Sequence, residues 1–268
     1  EASNVSIDGF TFNGDNTALT STFLGTNGAD LDAYEAVGVV LNNISSLTVS
    51  HNIIKNISYF GVDLLGDGSG SAPATTGHLI HDNLIQDLGT YAAGSGIAFW
   101  GGGVLLYNNQ YARVTNNTMS NVRIGLQTGN YSFANPGAAS FQVIDGNTIS
   151  ARRRGIFHNL AYSAASAYTL SNNTITGVVN ANETVWDGIL LSSLSVPSTS
   201  TNNTINGTGI TNPSEGYEVW NVKNTSPAAI SGGTVSGVNT AFFLNNFEGY
   251  ASNGTDGAHA TLTGTSLS

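Results

Sequence analysis

Apolar and polar residues alternate along this chain in short runs that recur. One phrase appears as VSIDGFTF (5–12), LTVSHNII (47–54), HLIHDNLI (78–85), ARVTNNTM (112–119), FQVIDGNTI (141–149), YTLSNNTI (168–175), TSTNNTI (199–205), AAISGGTV (228–235) and ATLTGTSL (260–267). Aligned on Asn52, Asn83, Asn117, Asn147, Asn173, Asn203 and Gly233, the copies are 31, 34, 30, 26, 30 and 30 residues apart. A second phrase follows each first one, a glycine and then alternating apolar residues: GVVL (38–41), GVDLL (61–65), GIAFW (96–100), GLQT (125–128), GIFHN (155–159), GILL (188–191) and GYEVW (216–220), with TAFFL (240–244) as a degenerate copy. Alternation over four or five residues is the signature of half-buried strands. No stretch sustains the three-and-four spacing of a capped helix.

Three short strands in each repeat of about 30 residues describe one coil of a parallel β-helix. The expectation is an all-β, right-handed parallel β-helix of about nine coils, a single domain over residues 1–268 with a long insertion at 13–37 in the first coil. Its strand-like runs at both limits suggest a segment of a longer chain. The asparagine column predicts a ladder, each side-chain amide bonding to the next. Positions one and three after the leading glycine (Val62 and Leu64, Ile97 and Phe99, Ile156, Ile189 and Leu191, Val219) are expected to face inward. Position two (Val40, Asp63, Ala98, Gln127, Phe157, Leu190, Glu218, Phe242) is expected to face outward, with Trp100 and Trp220 at position four.

Through the NNTI-type corners and the Gly-led strands, nearly the whole chain resembles the right-handed parallel β-helix repeat proteins. This is the pectate-lyase-like superfamily, which also includes alginate epimerases, phage tailspikes and large bacterial surface adhesins. The resemblance implies a fold and says little about activity. In enzymes of the superfamily a groove along an outer sheet face holds the polysaccharide. Here that face makes Asp63, Trp100, Gln127, Phe157, Glu218 and Trp220 the glycan-binding candidates.

Composition narrows the partners. Only 9% of residues are charged and the net charge is −10. That balance argues against nucleic acid and anionic membranes, which need a basic patch. It leaves glycans, other copies of the same protein and divalent cations. No run of about 18 apolar residues is present, so no helical membrane insertion is expected. Cysteine is absent, which excludes disulfides and zinc–thiolate sites. An extracellular or cell-surface location is the expectation.

The chemistry-bearing residues are sparse. Asp63 and Glu218, five coils or about 24 Å apart, cannot be a glycosidase pair, which needs about 5–9.5 Å. Asp187 can approach the Glu183 turn, but no tight acidic cluster of the polygalacturonase type is expected. If the protein is an enzyme, a polysaccharide lyase drawing on Arg152, Arg153, Arg154, His158 and Tyr131 is the expectation, since a lyase must neutralise a uronate and abstract a proton. The Asp-Pro-His motif of the epimerases and a pectate-lyase calcium cluster are missing. No cofactor is expected, although Asp30, Asp32 and Glu35 in the insertion offer oxygen ligands suited to Ca²⁺. His51, His78 and His81 do not share one face and make a poor metal site. The leading expectation is a structural or adhesive extracellular module that contacts glycans or stacks end to end. The alternative is a polysaccharide-active enzyme, a lyase or a tailspike-like depolymerase.

Overall fold

The computed structural model describes residues 4–20, 24–25, 28–40, 46–65, 77–89, 101–107, 111–129, 141–161, 167–194, 197–222, 227–245 and 258–268. Every strand-to-strand pairing is parallel, from each coil to the next, and the chain is a parallel β-helix. The first wall stacks nine strands in chain order, from Val5–Asp8 and Leu47–Ser50 to Ala260–Thr263. The second wall runs from Thr11–Asn13 to Ser266–Leu267, each strand a few residues after its first-wall partner. Among the described residues the third holds eight: Val37–Val40, Phe60–Leu65, Gly102–Tyr107, the later halves of Thr118–Gly129 and Thr148–Ala161, Trp186–Leu194, Ser214–Trp220 and Thr240–Asn245. Nine coils therefore overcounts complete three-walled circuits: among the described residues the last rung has no third-wall strand.

Each inward position stacks on its own kind. The second wall buries Ile54, Ile85, Met119, Ile149, Ile175, Ile205 and Val235 in one column. The third buries Val62, Val104, Leu126, Ile156, Ile189 and Tyr217 in another. Such stacking lets each coil contribute by contact with its neighbours alone.

The corner between the first two walls is turned by one residue per coil with positive φ: Gly9, His51, Asp82, Asn116, Gly146, Asn172, Asn202, Gly232 and Gly264. These are residue types that tolerate the left-handed region. The ladder asparagine is the residue after it. Nδ2 donates to the next coil's Oδ1 at 3.0 Å (Asn52 to Asn83), 2.9 Å (Asn83 to Asn117), 3.0 Å (Asn117 to Asn147), 3.0 Å (Asn147 to Asn173) and 2.9 Å (Asn173 to Asn203). The same nitrogens donate to the preceding coil's first-wall carbonyls, and each backbone N–H donates to the next Oδ1. Position 233 is glycine, and there Asn203 Nδ2 turns to Ser200 Oγ at 2.9 Å.

The glycine that leads the third-wall strands of the middle coils has a steric cause. A Cβ at Gly103 would lie 2.6 Å from Gly125 O, at Gly155 2.5 Å from Gly188 O, and at Gly188 2.6 Å from Gly216 O. Successive coils approach too closely here for any side chain.

The strand register corrects three sequence assignments. In the third coil the wall is Gly102–Tyr107, led by Gly103. GIAFW, with Ile97, Ala98, Phe99 and Trp100, lies outside the described residues, and Leu105 and Tyr107 hold the levels expected for Ala98 and Trp100. In the first coil Gly38, not Val40, is level with Asp63. In the eighth, Ala241 takes the glycine place. Phe242 therefore points inward, stacked 5.4 Å from Tyr217, and Phe243 points outward.

Candidate functional site

The outward column of the third wall reads Asp63, Leu105, Gln127, Phe157, Leu190, Glu218 and Phe243. All but Phe243 are buried. An outer face this closed, carrying acids and an amide, departs from the solvated surface the repeat alone would make, and chemistry gathers at its two ends.

Toward the first coils a cavity of about 490 Å³ is lined by Tyr34, Glu35, Tyr59, Asp63, Leu65, Leu105, Tyr107 and Gln127. Tyr34 and Tyr59 stack with centroids 4.6 Å apart and planes at 17°. The Asp63 and Glu35 carboxyls share a hydrogen bond, which requires a proton between them. Burial, then that bond, then the Glu35 charge push Asp63 up to about 8. Asp63 Oδ1 and Gln127 Oε1 find no hydrogen-bond partner. The cavity thus brings together two of the expected glycan-binding residues, Asp63 and Gln127, with Glu35 from the insertion.

Toward the last coils lies a carboxylate group that sequence reasoning missed. Asp187, Glu215 and Glu218 place oxygens all within 4.8 Å of one another, the only such group of three among the described residues. Asp187 and Glu215 are level on neighbouring strands, each just before a leading glycine. The D-G and E-G pairs at 187–188 and 215–216 were the available signal. The sequence pairs Asp187 with the Glu183 turn, whereas the register sets it beside Glu215 and Glu218, and the expectation of no tight acidic cluster is overturned. Asp187 is fully buried and ion-paired to Arg154 Nε at 2.7 Å. Glu218 accepts a hydrogen bond from Trp220 Nε1. Burial and the Asp187 charge raise Glu215 to about 7. Burial and the charges of Asp187 and Glu215 raise Glu218 to about 8. Asp187 Oδ1 and Glu215 Oε2 lack partners.

The expected lyase constellation does not assemble as a site. Arg152 is buried and donates to Leu88 O and Gly89 O, both at 2.8 Å, two coils back. Arg153 donates to Val185 O at 2.6 Å and lies 3.9 Å from both Glu183 and Asp187. Arg154 is held by Asp187 and sits 4.6 Å over the Phe157 ring. Arg123 completes the network with a bidentate pair to Glu183 at 2.6 and 3.0 Å. His158 stands at position three, inside the core, with Thr128 Oγ1 at 2.5 Å. Burial pushes it down to about 3, so it is neutral and out of reach of a substrate. Tyr131 lies outside the described residues. Phe157 and Leu190 pack with Ile124 and Trp220 in a small cluster on the outer face, so Phe157 has a packing role.

Asp30, Asp32 and Glu35 do not form one ligand set: Asp32 Oδ2 accepts from Asn16 N at 2.9 Å, and Glu35 turns to Asp63. His51 and His81 lie on neighbouring coils with ring centroids 5.7 Å apart, edge to face, and each is taken up by an aspartate. His51 meets Asp8 at 2.7 Å and His81 meets Asp82 at 2.6 Å, while His78 is buried.

Residues 94–197 match a family model described as a protein of unknown function, DUF1565. The match takes in the arginine turn and Asp187 and leaves out Glu35, Asp63, Glu215 and Glu218. No curated protein and no solved structure matches the chain.

Proposed function

We propose that this β-helix is an extracellular or cell-surface module that binds glycans in the cavity on its third wall. The observation that carries the reading is the Tyr34–Tyr59 stack beside Asp63 and Gln127 in one cavity of about 490 Å³. That size falls within the range of small-ligand sites, and apolar walls with a few convergent polar groups are their usual make-up. Sugar rings pack on aromatic faces while their hydroxyls meet carboxyl and amide groups. The low charge of the chain suits a neutral polar ligand surface. Calorimetric titration of the whole chain with an oligosaccharide panel tests this. Tyr59→Ala is expected to weaken the best ligand at least about tenfold, since loss of an aromatic contact removes roughly 1.4 kcal/mol or more. Absence of binding across the panel overturns it.

A second reading, a glycan-cleaving enzyme, is favoured by the Asp187–Glu215–Glu218 group. Asp187 is ion-paired to Arg154, while the two raised glutamates can carry a proton near neutral pH. A carboxyl able to give up a proton beside a second carboxyl in a different environment is the equipment of glycoside hydrolysis. This replaces the lyase expectation, because the arginines are committed to ion pairs and carbonyls. Product analysis separates the two chemistries. Reducing ends lost in Glu218→Gln support hydrolysis, unsaturated products support elimination, and neither product leaves binding alone.

A further inference from the structure

The cavity has a chemical bias that a neutral sugar does not need. Its floor is acceptor-rich. Asp63 Oδ1 and Gln127 Oε1 lack partners, and Glu35 adds a second carboxyl. Gln127 is 4% exposed, so its missing partner is not replaced by bulk water. Around that floor stand Tyr34, Tyr59 and Tyr107. Aromatic faces beside carboxylates are the usual environment of a bound ammonium, attracted by ring quadrupole and by charge together. The chain as a whole, at −10, attracts cations at long range.

Resting on the glycan reading above, we infer that the cavity selects an amino sugar. Its protonated amine is seated at the Glu35–Asp63 pair, and its ring lies over Leu105 toward the Gln127 carboxamide oxygen. The geometry fits one pyranose. Asp63 and Gln127 are two rungs apart in the same column, with Leu105 between them. At about 4.8 Å per rung that spacing is roughly 9.6 Å. It leaves room for a ring with an amine bonded at one side and a hydroxyl at the other. The pair already holds one proton, and burial opposes a second negative charge there. An ammonium supplies the positive charge that lets both carboxyls ionise, so binding releases that proton. An N-acetylated sugar offers an amide in its place and forgoes the charge.

The experiment is calorimetry on the whole chain with the glucosamine tetramer, its N-acetylated counterpart and cellotetraose, at pH 6 in low and in 0.5 M salt. The glucosamine tetramer is expected to bind at least about tenfold more tightly than the other two. Asp63→Asn, which keeps shape, is expected to cut that preference to threefold or less, and Gln127→Leu to weaken all ligands together. Equal or better binding of the N-acetylated or neutral tetramer overturns the amino-sugar inference and leaves the glycan reading standing. Absence of binding by all three overturns the amino-sugar inference, and the glycan reading falls with it when the wider oligosaccharide panel is also silent. A preference unchanged in Asp63→Asn and lost entirely in salt shows attraction to the chain's overall charge, and also overturns it.

Discussion

The asparagine corner and the outer face of the third wall are built from the same coils and solve opposite problems. At the corner six successive coils, from Asn52 to Asn203, repeat the same bond at 2.9–3.0 Å, and the buried amide groups between them are satisfied by the coils on either side. On the outer face no two successive coils carry the same side chain. The column passes from an acid to leucine, glutamine, phenylalanine, leucine and an acid again. Four of the buried oxygens without a partner gather at this face, at Asp63, Gln127, Asp187 and Glu215, and none belongs to a ladder asparagine. Repetition stabilises a solenoid because each rung templates the next. A wall that abandons repetition gives up that contribution, and sites are where local rules are broken at a cost met elsewhere.

The largest expected effect comes from breaking the repetitive side. Asn117 sits mid-ladder and is 1% exposed. Its Nδ2 bonds to Ile80 O, Thr115 O and Asn147 Oδ1, and its Oδ1 accepts from the backbone and side chain of Asn83. Asn117→Leu strands at least two buried polar groups at about 1–3 kcal/mol each. A loss of roughly 3–5 kcal/mol in urea unfolding is expected. A loss under about 1 kcal/mol would mean that apolar stacking holds the corner without the ladder.

A smaller effect is expected where backbone contact, not a polar bond, sets the sequence. Gly155→Ala places a Cβ 2.5 Å from Gly188 O and against Ile175, in a core with no room to yield. Overpacking of this kind costs about 1–3 kcal/mol. Gly264→Ala meets no atom within 4 Å and bears only the strain of φ +66°, about 1–2 kcal/mol. Gly155 carries no left-handed φ, so the absence of a measurable loss in Gly155→Ala would show that coil spacing does not select glycine there.

How much of this was legible follows from the same division. The ladder could be read with its bonding partners, because each asparagine announces itself by its neighbours one period away. The leading glycines could be read too, but in the third coil two Gly-led phrases compete. Only the approach of the next coil's carbonyl decides for Gly103. His158 was readable as a core residue, since Gly155-Ile156-Phe157-His158 puts it at an inward position by the alternation rule itself. The acid group was harder. Asp187 and Glu215 meet only when neighbouring coils are aligned one residue before the glycine, and Glu218 joins them from three residues further along. The Glu35–Asp63 contact depends on how the 13–37 insertion folds back, and no period in the chain encodes that.

The smallest effect is the one that separates the two regions by pH. Ladder asparagines do not titrate. Asp63 and Glu218 do, each pushed up to about 8 by burial and by neighbouring carboxyls, against ordinary values near 4 in an unfolded chain. Between about pH 4 and pH 8 the folded protein keeps these protons while the unfolded chain has released them. Their contribution is therefore fully present below pH 4 and declines as pH rises through 8. Asp8 has the opposite sign, because hydrogen bonds from Ser50 and His51 pull it down, and it acts at the acid end of the range. Asp63→Asn with Glu218→Gln keeps the neutral form at every pH. The double variant is expected to match the parent near pH 4 and to exceed it at pH 8 by about 1 kcal/mol or more, read as urea midpoints. A parent that instead gains stability from pH 5 to pH 8 holds these carboxyls ionised, with positive charge from the arginines or a bound cation outweighing their burial. The outer face would then be a charge-paired surface and no longer a store of protons.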